Sequence, residues 1–162
     1  MSNSSYTELA KARRDWKGEH LSAYLRSGGA DGHIMDVTDI GGRKFTTMLL
    51  LRYVGRKSGK TMITPLIYGD IGGEVVIVAS KGGADHHPAW YLNLKDSKAL
   101  SFQIASQAYR ATWREPLGAE RTEVWNFMVG VFPPYKAYQA STQREIPLVM
   151  MSVVEPTDRF KE

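Results

Sequence analysis

No cysteine occurs among the 162 residues. Disulfide bridges and thiolate metal sites are therefore excluded. No apolar run approaches the roughly 20 residues that span a bilayer, so stable membrane insertion is not expected. The opening residues, MSNSSYTELAKARRDWKGEH, are polar and charged, and no secretory leader is expected there. Acidic residues are missing from one stretch. Gly41 to Gly69 holds six bases (Arg43, Lys44, Arg52, Arg56, Lys57 and Lys60) and no Asp or Glu. The other fifteen of the 21 Lys and Arg residues face 17 acids, so the remainder carries a net −2. Positive charge this local suits a small anionic ligand. It argues against a broad nucleic-acid-binding face.

Hydrophobic residues make up 43% and charged residues 23%, the balance of a globular domain able to bury a core. Ser5 and Glu8 have capping-box spacing, and Leu9, Ala12, Trp16, His20, Ala23 and Tyr24 recur at helical spacing. Gly28 and Gly29 would end that N-terminal helix, so residues 1–30 form one element ahead of the body, 31–162. The central block reads as strands: FTTMLLLRYV, the turn GRKSGK, TMITPLIYG, the turn DIGG, then EVVIVAS. Its nearly continuous apolar runs imply strands covered on both faces or closed into a barrel. PAWYLNLKDS reads as a short helix after Pro88, ALSFQIA and QAYRATWREP as a hairpin, and LVMMSVVEP as a last strand. LGAERTEVWNFMVGVF reads as an amphipathic helix with Leu117, Val124, Phe127 and Met128 apolar. PPYKAYQASTQREIP reads as irregular or a broken helix. The economical architecture is α+β: one β-barrel with peripheral helices.

GRKSGKT is one residue short of a Walker loop. A Walker loop also needs a helix to follow, whereas here a β-like segment containing Pro65 follows. The stretch is a basic hairpin tip. Arg56, Lys57 and Ser58 could hold a phosphate or carboxylate, or the lysines could simply be solvated. Gly82 and Gly83 in ASKGGADHHPAW would let backbone approach a flat or anionic ligand. Ser80 and Lys81 lead into that loop. Trp90, Tyr91 and Leu92 are equally readable as core, and Asn93 as a local cap. Adjacent His86 and His87 lack metal-ligand spacing, and no metal is expected. Phe132, Tyr135 and Tyr138 would share a face on a helical turn, either closing a barrel mouth or roofing a pocket. No catalytic triad or carboxylate pair is readable, which suits chemistry carried by a cofactor.

The blocks GRKSGK…TPL, GG…VVIVASKGGADHHPAWYLNL and YKAYQ…REIPLV resemble the deazaflavin-dependent nitroreductase family, the A group of flavin/deazaflavin oxidoreductases. The resemblance runs from about Leu49 to Val154. It implies a split β-barrel of the FMN-binding-like type and coenzyme F-420, an 8-hydroxy-5-deazaflavin with a phosphate and polyglutamate tail; FMN is the less favoured cofactor. It implies hydride transfer from reduced F-420 to a quinone, activated enone or nitroaromatic. An F-420 carrier without activity and an FMN- or FAD-using oxidoreductase are the alternatives. By resemblance, Arg56, Lys57, Ser58, Gly59, Lys60 and Thr61 hold the phosphate and tail. Leu50, Leu51, Gly72, Gly73 and Val75 lie along the cofactor site. Val78, Ala79, Ser80 and Lys81 flank the ring, and Ala89, Trp90, Tyr91 and Asn93 close on it. Tyr135 lies next to ring and substrate and Tyr138 at the pocket; with Ser80 they are the candidate catalytic hydrogen-bond donors. By the same resemblance, Phe132 stands where the best-known nitroreductase of the family carries a tyrosine. A cytoplasmic enzyme acting on a small molecule is expected, as monomer or dimer, with peripheral membrane contact left open.

Overall fold

The computed structural model describes residues 18–97 and 99–161. A helix, α1, occupies residues 18–26 of these; Ser5, Glu8, Leu9, Ala12 and Trp16 of the expected helix lie outside the described residues. The strands are β1 (Ile34–Met35), β2 (Thr46–Val54), β3 (Thr61–Ile67), β4 (Gly69–Ile71), β5 (Glu74–Val78), β6 (Leu100–Ile104), β7 (Gln107–Arg114) and β8 (Leu148–Thr157). Three further helices are α2 (Ala89–Ser97), α3 (Gly118–Val131) and α4 (Pro134–Ala140). None of the described helices is long and apolar enough to cross a membrane.

All strand pairings are antiparallel, in the order β1-β2-β6-β7-β8-β5-β4, with β3 also on β2. β3 pairs with β2 and β4 with β5, yet only Tyr68 separates β3 from β4. One nearly continuous strand therefore leaves one end of the sheet and joins the other, and this closes the sheet on itself. The expected turn at DIGG is shorter than the sequence suggested. Asp70 and Ile71 pair with Val75 and Glu74, and the chain reverses over Gly72 and Gly73 alone. Their φ values of 60° and 85° are the left-handed pair that a tight two-residue hairpin requires.

Alternation within the strands builds two cores. Leu49, Leu51, Tyr53, Val75, Ile77, Val149 and Met151 face one interior with Trp90, Tyr91 and Leu94 of α2. Val76, Val78, Leu148 and Met150 face another under Val124 and Met128 of α3 and Tyr135 of α4. Neither face of β5 or β8 needs polar residues where these cores meet it, which accounts for the unbroken apolar runs. On α3 only Val124 and Met128 are buried. Leu117 is 79% exposed and Phe127 39%, so the apolar face is narrower than its sequence implies. The segment after Phe132, read as irregular or a broken helix, is helical over α4.

α1 docks through Tyr24, which is fully buried. Its hydroxyl donates to the carbonyls of Met48 and Gln103 and accepts the Ala105 N–H at 2.9 Å.

Candidate active site

A cleft of about 320 Å³ opens between β3, α4 and the segment leaving β5. Thr64, Pro65, Leu66 and Ile67 form one wall and Phe132, Tyr135 and Tyr138 another. Val78, Ser80, Lys81 and Gly82 form a third, with Pro88 and Trp90 beside them. Val37, Ile40, Met48 and His20 complete the lining. The surface is mostly apolar and aromatic, shaped by backbone and flat rings, and suits a planar ligand.

Few polar groups face the cleft, and two are conspicuous. Tyr135 is 4% exposed and packs edge-on against Phe132 at 4.9 Å and Tyr138 at 6.3 Å. Its hydroxyl has no hydrogen-bond partner among the described residues, yet it is not sealed from solvent. Burial, then the Tyr138 phenol, push its pKa up, so it stays protonated and can donate. Ser80 is 9% exposed, and its hydroxyl caps nothing in the turn that follows.

That turn is unusual. Lys81, Gly82 and Gly83 have φ values of 46°, 64° and 85°, three successive left-handed residues of which one carries a side chain. A Cβ on Gly83 would lie 2.4 Å from Ser141 Oγ and 3.0 Å from the Tyr138 backbone, so glycine is required where the turn meets α4. Lys81 Nζ lies 2.7 Å from His86 Nε2, and His86 Nδ1 lies 3.0 Å from Asp85.

The expected site residues divide into groups. Val78, Ser80, Lys81, Trp90, Tyr135 and Tyr138 come together around the cleft. Arg56, Lys57, Ser58, Gly59, Lys60 and Thr61 lie at or beside the exposed β2–β3 hairpin tip and do not line it. The tip stands four residues along β3 from Thr64, about 13 Å at the usual strand rise. Lys57 and Lys60 have no ion-pair partner among the described residues. Asn93, readable as a local cap and by resemblance as closing on the cofactor, accepts from Arg56 across the fold and does not line the cleft. Leu50, Leu51 and Ala79 are fully buried and Val75 nearly so; their side chains are committed to the cores and do not line the cleft. Tyr91 turns its hydroxyl to Glu115 at 2.8 Å, and Ala89 is exposed outside the lining. Gly72 and Gly73 form the exposed β4–β5 turn. Pro65 and Leu66, quoted in the TPL block but given no role at the site, line the cleft together with Ile67. Among the described residues their strand pairs only with β2, and residues of it line the cleft.

The arrangement fits a deazaflavin with an anionic tail: apolar walls and hydroxyls for a ring, and cations without an ion-pair partner among the described residues at the hairpin tip for the tail. Among the described residues no cluster of side chains could hold a metal.

Residues 17–153 match the family model described as F-420H(2)-dependent quinone reductase. A Mycobacterium tuberculosis protein provisionally named as such a reductase is 33% identical over 117 residues, 68% of this chain and 93% of that one. A solved F-420H(2)-dependent reductase is 38% identical with a TM-score of 0.60, covering 65% of this chain and 93% of its own. Another solved structure, described as a domain-swapped dimer, is 34% identical with a TM-score of 0.63, covering 86% of this chain and 99% of its own. The chain belongs to the F-420H(2)-dependent quinone reductase family: it is a split-barrel oxidoreductase whose cofactor is coenzyme F-420.

Proposed function

We propose that the cleft holds the deazaflavin ring and a quinone face to face, while the coenzyme's anionic tail runs along β3 to Arg56, Lys57 and Lys60. The observation that carries this reading is Tyr135, which lines the cleft and whose hydroxyl has no hydrogen-bond partner among the described residues. Reduced F-420, when bound, supplies the hydride. The protein's own part is to align, to exclude water and to donate hydrogen bonds. Phe132, Trp90 and Pro65 line the cleft and would bracket flat surfaces. Tyr135, Tyr138 and Ser80 line it too and would donate hydrogen bonds as negative charge grows on the quinone oxygen. Solvent at the cleft mouth delivers the proton. Activated enones and nitroaromatics present the same kind of oxygen and are secondary acceptors. We further read the enzyme as cytoplasmic, and the dimeric relative supports self-association here as well.

The test is a binding titration with F-420, FMN and FAD, followed by turnover of reduced F-420 with menadione. Tight, selective F-420 binding with quinone reduction is the expected outcome. Preference for FMN, or F-420 binding without turnover of any quinone or enone, would overturn the proposal.

A further inference from the structure

Arg144 does not line the cleft, yet its side chain grips the wall that does. Its Nε donates to the Ala84 carbonyl at 2.8 Å. One terminal nitrogen donates to the Ala79 carbonyl at 3.2 Å and to His87 Nδ1 at 3.0 Å. The other donates to the Ser80 carbonyl at 2.8 Å. No carboxylate pairs with it among the described residues, so its donors go to the loop and not to a salt bridge.

The backbone of Arg144 is held in turn. Gln139 at the end of α4 donates to the Arg144 carbonyl at 2.8 Å and accepts the Ile146 N–H at 2.9 Å. Ser141 adds a bond to the Gly83 carbonyl at 3.0 Å. Two walls of the cleft are thereby joined. One is α4, with Tyr135 and Tyr138; the other is the Val78–Gly82 segment, with Ser80.

We propose that Arg144 is a positioning residue of the cleft, setting the spacing between the Ser80 hydroxyl and the Tyr135–Tyr138 pair. The three left-handed residues Lys81, Gly82 and Gly83 need an external hold, because local propensity does not favour them, least of all at Lys81. The planar guanidinium reaches acceptors on both sides of those residues at once, from Ala79 and Ser80 to Ala84. A lysine ammonium keeps the charge but cannot span the same acceptors in one plane. The proposal rests on the cleft being the ring site.

The test compares wild type with Arg144→Lys and Arg144→Ala. Amide hydrogen exchange across residues 80–84 is measured without coenzyme. F-420 affinity, and kcat and KM with menadione, are then measured per F-420-binding site. Both variants should exchange on the order of tenfold faster at the turn, with other strands unchanged. Turnover per site should fall on the order of tenfold to a hundredfold, while the F-420 Kd and the quinone KM stay within about threefold, because the tail grip is intact. Added guanidinium should restore part of the turnover of Arg144→Ala. Wild-type exchange and turnover in Arg144→Lys would overturn the proposal. So would a loss in both variants that merely follows the fraction of protein still binding F-420. Should Arg144→Ala not fold, Arg144→Lys decides alone. Failure of the wild type to bind F-420 would overturn the ring-site reading, while the coenzyme-free exchange would still decide whether Arg144 holds the turn.

Discussion

Asn93 Oδ1 accepts both the backbone N–H of Arg56, at 2.8 Å, and its guanidinium, at 3.0 Å. One buried amide on α2 thus ties down the hairpin tip that carries Lys57 and Lys60. The same helix brings Trp90 to the cleft one turn earlier. Tip and cleft wall are held by one element.

Asn93→Ala should release the tip. The lost acceptor costs about 1 kcal/mol of stability. F-420 binding should weaken more than quinone KM rises. Denaturant melts and F-420 titration check both. Asn93→Asp keeps an acceptor for Arg56 and should retain more of the affinity.

Lys57→Ala and Lys60→Ala remove exposed charges without touching the core. Each should raise the F-420 Kd by about two- to fivefold, equivalent to roughly 0.5–1 kcal/mol, with unchanged melting temperature. The effect should shrink with added salt. Titrations at low and high ionic strength test this; no change for either lysine at low salt would remove the tip from the binding site.

Tyr135→Phe deletes a hydroxyl that bonds to nothing in the described protein, so stability should hold. Turnover with menadione should fall on the order of a hundredfold, within the usual range for one positioned donor, with F-420 affinity nearly unchanged. Steady-state kinetics beside a binding titration separate the two. An equal loss of affinity would make Tyr135 a packing residue instead.

Gly83→Ala forces a Cβ against Ser141 and Tyr138 at a φ of 85°. About 1–3 kcal/mol of destabilisation is expected. Gly82→Ala, at a φ of 64° but with open space around it, should cost less. Thermal melts of both rank them.

His87 accepts a bond from Arg144, so it is neutral in the folded protein. Burial, then the cations Arg144 and Lys95, lower its pKa; Glu115 opposes them, and the Tyr91 ring lies 4.9 Å away. Below the ordinary value of 6.5 the unfolded chain binds a proton there that the folded chain refuses. Its contribution to stability is therefore complete above pH 6.5 and declines as the pH falls toward the lowered folded value. His33, also lowered by burial, acts in the same direction. Melting temperatures across this range for wild type and His87→Gln should show a shallower decline in the variant.

Part of the cleft lining was legible in residues 78–82 and 132–138, where glycine, serine and aromatic spacing is local information. Leu50 and Leu51 show the limit. Their apolar run announces a strand but does not say which neighbours bury both faces, and the structure buries both completely. Pro65 marked the absence of a Walker helix, yet its place in the cleft wall depends on which strand pairs with β3. Arg144 sits in the quoted REIP block without any signal of its task, because its acceptors lie about sixty residues earlier in the chain.

The sequence by itself determined the alternation of strands and helices, the basic tip and the glycine turn. These follow from side-chain period, backbone freedom and charge within a few residues. Tertiary structure alone decided that β3 and β4 close the barrel through Tyr68, that Asn93 holds Arg56, and that Arg144 joins two walls of the cleft. Such pairings are made between groups tens of residues apart, and burial of both faces of the sheet selects them.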